Sequence, residues 1–215
     1  MRGIIYKDLC DNFLVWKNLA SYLFGLVFII GATVLVSDSE YYFVLLILMV
    51  CLIGTCAMES SVEQDEAANF DRLLISFPVT KEEIVIAKYI LGLVFIAVAS
   101  RMSLIITVIH VLSGGALDPS QAFSIWVLGI YLSLIFSGIT YVGYMVFGKR
   151  RGTITYVAMI MIIAGAYGAM HAVYGIERFV QMDKTRLLLA GIPVSILVFV
   201  LSCMISIRIY KKKFS

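Results

Sequence analysis

Six long apolar runs constrain this chain more than any other feature of its sequence. A helix that crosses the roughly 30 Å hydrocarbon core of a bilayer needs about 20 predominantly apolar residues. The runs meet that requirement, and they lack the alternating polarity of strands in a transmembrane barrel. They comprise residues 19–36, 41–57, 89–112, 123–147, 154–175 and 187–207. The sequence therefore predicts an all-α integral membrane protein in which residues 1–215 form one domain of six transmembrane helices.

The composition leaves little material for a soluble fold. Hydrophobic residues make up 61% of the 215 residues and charged residues 14%, and the mean hydropathy is +0.99. Too few polar residues remain to cover a soluble globule, so a surface that faces lipid is required. The four cysteines lack CxxC spacing, and they indicate neither a disulfide framework nor a metal site.

The basic residues predict the orientation of the chain. With both termini in the cytoplasm, thirteen lysines and arginines lie inside, and only Arg178, Lys184 and Arg186 lie outside. Such a bias follows the positive-inside rule of a cytoplasmic membrane, and it explains the net charge of +3 without nucleic-acid binding. We therefore expect a multi-pass protein of the bacterial cytoplasmic membrane.

A short segment before the first run shows helical periodicity. Ile5, Leu9, Phe13 and Trp16 recur at helical spacing. This pattern predicts an amphipathic helix within residues 1–18 that lies on the inner membrane surface, and the alternative is an extension of the first transmembrane helix.

Residues 58–88 form the one sizeable hydrophilic stretch, and its pattern predicts a rigid elbow. Phe70, Leu73, Leu74 and Phe77 follow the i, i+3, i+4, i+7 spacing of one apolar helix face, beside acidic residues. Pro78 ends that helix, and Thr80 with Glu83 forms a capping box that starts the next one.

Several chemistries are missing from the sequence. It has no GxxxxGK[ST] loop, no GxSxG elbow and no HExxH pair. No apolar run has a carboxylate in its interior, as ion-driven carriers typically need. We therefore expect no catalytic residue, no metal and no cofactor in this chain, and any energy for transport must come from another protein.

Arg101 is the one charged residue deep inside an apolar run, roughly 18 Å along the helix from Tyr89 at 1.5 Å per residue. A central arginine is costly in lipid, so it faces either a translocation path or dimer interface, or a structural partner such as Ser100 or Thr140.

Small polar residues on the next run suggest a close helix contact. Gly129, Ser133 and Ser137 are spaced i, i+4, i+8, and a ridge of this kind lets two helices approach closely. We place Ser133, Ser137 and Tyr141 with Arg101 as candidates for the path or the dimer interface.

The segment from Asn69 to Tyr89 resembles permeases of the type-2 ABC exporter family, in the small six-helix branch similar to bacterial peptide exporter permeases. Phe77 replaces the usual leucine. The matching positions are Leu74, Ser76, Pro78, Val79, Lys81, Glu83, Ile84, Val85, Lys88 and Tyr89.

The resemblance implies a permease without its own nucleotide-binding domain, which pairs with a second permease and with cytoplasmic ATPase subunits that carry ATP and Mg. It also implies that the elbow is the coupling helix that docks into the ATPase, and that the cargo is an amphipathic or antimicrobial peptide or another hydrophobic compound. The coupling residues would be Glu66, Phe70, Asp71, Arg72, Leu73, Leu74, Phe77 and Pro78. Two rival functions are a non-transporting assembly or sensor module and the membrane subunit of an ATP-driven importer.

Overall fold

The structure is a computed structural model that describes residues 2–35, 39–70, 79–112, 117–175, 178 and 185–213. Within those residues the regular structure is helical. The helices are α1 (Arg2–Phe13), α2 (Trp16–Leu35), α3 (Ser39–Ala67), α4 (Lys81–Leu112), α5 (119–147), α6 (149–174) and α7 (Thr185–Lys213).

Four helical stretches among the described residues are long and apolar enough to cross a membrane. They are Leu46–Ala67, Lys81–Leu112, Pro119–Ala169 and Leu187–Lys212. The third has 51 residues, which at 1.5 Å per residue extends to roughly 76 Å, more than twice the thickness of a hydrocarbon core. A straight helix of that length would not fit one crossing, and this stretch is not straight.

Gly148 breaks the long stretch into the helices α5 and α6. Its φ of 76° and ψ of −174° lie in a region that residues with a Cβ avoid. On either side of the break the two helices fold back on each other, since the rings of Phe136 and Tyr156 lie 5.6 Å apart. Thr155 likewise lies against Gly143. α5 and α6 are therefore an antiparallel hairpin.

The predicted ridge on α5 packs against α3. Ser133 is fully buried and its Oγ donates a hydrogen bond of 3.0 Å to the carbonyl oxygen of Val50. A Cβ at Gly54 would lie 2.7 Å from Ile96 and 3.1 Å from the Ser133 hydroxyl. The small residues therefore allow α3 to sit between α4 and α5 at close range, as interfaces between membrane helices do.

Four parts of the chain meet at one end of the bundle, where α3 ends and α4 begins; we call it the loop end, and the opposite end the far end. Lys17 at the start of α2 pairs with Glu63 of α3. The α5–α6 turn contacts Glu66, and near the end of α7 Lys211 pairs with Glu82. Both chain ends therefore lie at the loop end.

The capping box predicted at the start of α4 is present. The backbone N–H of Glu83 donates to the Thr80 hydroxyl at 3.2 Å, and the backbone N–H of Thr80 donates to the Glu83 carboxylate at 3.0 Å. On the other side of the loop, α3 ends near Asn69, whose positive φ of 49° is typical of a residue that stops a helix.

Helix α1 differs from the pattern expected of it. The face that it buries against the bundle consists of Ile4, Asp8 and Asn12, so two of the three residues are polar. Phe13 and Trp16, two residues of the predicted apolar face, are exposed by 47% and 76%, as residues that face lipid also are, so the difference concerns only the polar face. The expectation missed that the bundle supplies polar partners for this helix, and a buried polar face is stable where such partners exist.

Candidate coupling site at the loop end

The predicted coupling residues fall only in part within the described residues. Asp71, Arg72, Leu73, Leu74, Phe77 and Pro78 lie outside them. Glu66 and Phe70 are described, and they stand where α3 leads into that segment. Their contacts define what the coupling segment is attached to.

Glu66 is attached to the turn between α5 and α6. Its Oε1 accepts a hydrogen bond of 2.7 Å from the backbone N–H of Lys149, the first residue of α6. A carboxylate at a helix N-terminus satisfies a donor that has no partner in the helix, and it complements the positive end of the helix dipole. A Cβ at Gly148 would overlap the same carboxylate, so glycine is required there by both its φ and this contact.

Glu63 lies one turn before Glu66 and strengthens the same attachment. Its carboxylate is 2.8 Å from Nζ of Lys149 and 3.1 Å from Nζ of Lys17. These pairs are partly exposed, and each contributes modestly on its own. Together they connect α3 to the α5–α6 turn and to the start of α2.

Asp65 lies between these two glutamates and is attached to different helices. One of its oxygens is 2.5 Å from Nζ of Lys88 on α4, and the other accepts a hydrogen bond from Lys7 on α1. Lys88 also donates to the hydroxyl of Ser61 at 2.5 Å and lies 3.6 Å from Asp8. We call Lys7, Asp8, Asp11, Asp65 and Lys88 the buried ion cluster.

The cluster is so deeply buried that the stability of the fold depends on the pairing of its charges. The side chains of Asp65 and Lys88 are each 4% exposed and that of Asp8 is fully buried. An unpaired charge at such a site costs several kcal/mol, so each member depends on the others. At Lys7, burial lowers the pKa, but the attraction of Asp65 and then Asp8 outweighs it, and the net shift raises the pKa.

Phe70 joins the coupling segment to the cluster. The ammonium group of Lys7 lies 4.3 Å from the centroid of the Phe70 ring, in a cation–π contact. The ring also packs against the core cluster that contains Ile4 and Met58. The residue that leads into the coupling segment is therefore held by α1 and by the bundle core.

Sequence reasoning missed the buried ion cluster. It counted Lys7 and Lys88 among the thirteen cytoplasmic charges that predict the orientation, and it counted Asp65 among the acidic residues beside the apolar face of the elbow. The i, i+4 pair of Asp8 and Asn12 gave no warning, because the water-facing side of an amphipathic helix has polar residues at the same spacing.

The four candidates for the path or the interface occupy two environments. Ser133, Ser137 and Tyr141 are fully buried within the bundle, and the Tyr141 hydroxyl donates to the Gly54 carbonyl oxygen at 2.5 Å. Arg101 is exposed on the surface of α4. The structure therefore brings the first three together and leaves Arg101 apart from them, and a role in a path or interface stays a prediction for all four.

The suggested structural partners of Arg101 bond elsewhere. The Ser100 hydroxyl donates to the carbonyl oxygen of Ala97, and the Thr140 hydroxyl donates to that of Phe136.

Among the described residues no group of histidine, cysteine and acidic side chains is arranged to hold a metal ion.

The long apolar helices and the polar junction at one end define a multi-pass helical membrane protein. The chain belongs to the family described as ABC-2 family transporter protein, whose sequence model matches residues 3–211. Membrane domains of this family generally carry no nucleotide-binding domain, and membership suggests ATPase partners and a dimeric arrangement. Neither the curated proteins nor the solved structures gave a match.

Proposed function

We propose that this chain is the permease subunit of an ATP-driven exporter. It forms the translocation path as a dimer with a second permease, identical or not. Separate cytoplasmic ATPase subunits bind ATP and Mg and supply the energy. The cargo is an amphipathic peptide or another hydrophobic compound.

The proposed topology has six crossings and both termini in the cytoplasm. Its support is the placement of both chain ends, the α3–α4 loop and the α5–α6 turn at the loop end. Helices α2 to α7 then run alternately away from and towards that end. The excess of lysine and arginine in the corresponding loops and termini favours a cytoplasmic loop end.

One observation carries the proposal: the residues that flank the coupling segment are fixed to four other helices. These residues lie at the end of α3, before the segment. Asp65 contacts α1 and α4, and Glu66 contacts α6. Glu63 contacts α2 and α6. A segment attached in this way can pass the movement of a docked ATPase to the membrane helices. A segment joined by a flexible linker would lose that movement.

The test introduces two aspartates on the apolar face of the coupling segment. The double variant Leu74→Asp/Phe77→Asp, produced with the proposed ATPase subunit, should lose co-purification of the ATPase or uncouple its ATP hydrolysis; Phe70 is kept because its ring packs against the bundle core. The matched control Ala67→Asp/Ala68→Asp adds the same charge beside the segment but removes none of its apolar face, and should retain the complex.

Normal assembly and normal nucleotide-dependent activity of the Leu74→Asp/Phe77→Asp variant would refute the docking assignment. If the unmodified chain assembles with an ATPase but the complex moves no cargo across the membrane, a sensor or assembly module would be supported instead. Cargo accumulation inside the cell would support an importer.

A further inference from the structure

The surface of α4 around Arg101 combines one charge with an aliphatic face. Arg101 is exposed, and nearby on the same helix Val94, Val98 and Ile105 are exposed by 43%, 43% and 60%. No polar side chain other than Arg101 stands on this face between Leu93 and Leu112 within the exposed positions. The exposed positions of this face therefore offer a bound molecule one positive charge and aliphatic contacts.

Trp126 marks the depth of Arg101 in the bundle. Its indole N–H donates a hydrogen bond of 2.8 Å to the carbonyl oxygen of Ser100, the residue before Arg101. Trp126 is seven residues from Pro119 at the far end of α5, which corresponds to roughly 10 Å. Arg101 is eleven residues from Leu112 at the far end of α4, or roughly 16 Å. Since Arg101 is also roughly 18 Å from Tyr89 at the other end of its apolar run, it lies near the middle of the apolar zone.

Among the described residues, no carboxylate lies at that depth. The acidic residues that the structure describes lie in α1, next to the start of α5 or towards the ends of the long helices: 8, 11, 40, 59, 63, 65, 66, 82, 83 and 118. In the sequence the other four, 38, 71, 177 and 183, fall outside all six apolar runs. A second copy of the chain has the same distribution, so its described residues supply no carboxylate at the level of Arg101 either. The described residues therefore offer Arg101 no anion at its own level, and an anion that neutralises it there would come from another molecule.

The aliphatic face favours an occupant that is a lipid-like amphiphile. A peptide in the same place would bring backbone N–H and C=O groups, and each one without a partner in hydrocarbon costs several kcal/mol. The exposed positions around Arg101 offer such groups no hydrogen-bond partners. An acyl chain needs none, because it gains from contact with valine and isoleucine alone.

We propose that this face binds an acidic lipid-like amphiphile, whose phosphate or carboxylate pairs with Arg101 while its hydrocarbon chain lies along Val94, Val98 and Ile105. The guanidinium group suits this role because it can contact both oxygens of the acid group at once. That such a molecule is also cargo rests on the proposed transport function, whereas its binding does not.

The test uses Trp126 as a fluorophore beside the site. The chain has two tryptophans, so Trp16→Phe leaves Trp126 alone. This single-tryptophan chain is reconstituted in phosphatidylcholine vesicles at pH 9. It is titrated with stearic acid that carries a nitroxide at carbon 5, and in parallel with the methyl ester of the same molecule. The ester has the same chain and quencher and lacks the charge.

The acid should quench Trp126 at about one-fifth of the membrane concentration that the ester requires, the ratio that corresponds to about 1 kcal/mol. In Arg101→Gln the two probes should quench equally, and Arg101→Lys should keep part of the difference. Lys212→Gln, which removes a charge at the loop end, should behave like the parent chain.

Equal quenching by acid and ester in the parent chain would overturn the proposal, including the case in which a second permease covers the face. A difference that persists in Arg101→Gln would overturn the assignment to Arg101. The assay contains no ATPase and no nucleotide, so failure of the proposed transport function would leave its outcome unchanged.

Discussion

Replacing Lys88 by methionine tests whether the buried ion cluster holds the loop end together. Methionine has a similar length and keeps the packing, so the change removes mainly the charge. In the native chain two lysines face three aspartates within the cluster. Without Lys88, Asp8 and Asp65 share Lys7 with Asp11, and both are almost completely buried.

The expected cost is large because it comes from leaving buried charge unpaired. Breaking a buried pair by removing one partner typically costs about 3–5 kcal/mol. Asp65→Asn should cost less than Lys88→Met, since it leaves two lysines with two aspartates. The double variant Lys88→Met/Asp65→Leu should recover most of the loss, because an apolar pair of similar volume replaces the buried ions.

The assay is equilibrium unfolding of the purified chain in mixed micelles, with increasing sodium dodecyl sulfate and helicity read by circular dichroism. Glu82→Gln is the matched control, since it breaks the pair with Lys211 at the same end of the bundle, where both side chains are 51% exposed. It should change stability by less than about 1 kcal/mol. The reasoning would be refuted if Lys88→Met lowered the free energy of unfolding by as little as the control does. It would also be refuted if Asp65→Asn lowered that free energy by more than Lys88→Met does.

Further predictions concern the turn, the helix contact and the first helix. Gly148→Ala should destabilise the chain by about 1–3 kcal/mol because its φ is positive, whereas Gly165→Ala, with no atom within 4 Å of its Cβ, should not; equal melting temperatures for the two would contradict this. Ser133→Leu should overpack the contact between α3 and α5 at a cost of about 1–3 kcal/mol, and a fully stable variant would show that the helices are not in close contact. Glu66→Ala should cost about 0.5–2 kcal/mol, as the loss of a helix cap does, read in the same unfolding assay. The stabilisation from Lys7 should be complete below about pH 10.4 and should be lost only as the pH rises towards its raised folded-state pKa; a fall between pH 7 and 9 that Lys7→Met abolishes would contradict the assignment.

The sequence was sufficient for the helical class because the apolar runs admit few alternatives in a membrane. Local signals were also sufficient for two details. The capping box of Thr80 and Glu83 depends on a spacing of three residues, and the ridge that includes Ser133 depends on a spacing of four. Both follow from the geometry of a single helix, which the sequence specifies directly.

The buried ion cluster could not be predicted in the same way, because it depends on which helices become neighbours. Lys7 and Asp65 are 58 residues apart, and a charge near the end of an apolar run is usually solvated. Only the packing of α1 against α3 and α4 turns these charges into buried partners. Similarly, the interruption between the apolar runs 123–147 and 154–175 predicts a turn, but no local pattern identifies Gly148 as the residue with the positive φ.

Adjacent residues at the end of α3 contact different parts of the bundle for a geometric reason. Successive side chains on an α-helix are turned by about 100°, so Asp65 and Glu66 cannot face the same neighbour. Asp65 therefore faces α1 and α4, while Glu66 faces the α5–α6 turn. A rotation or shift of the end of α3 changes both sets of contacts at once. An ATPase docked on the segment that follows α3 would need to move only this one helix end to act on α1, on α4 and on the α5–α6 hairpin.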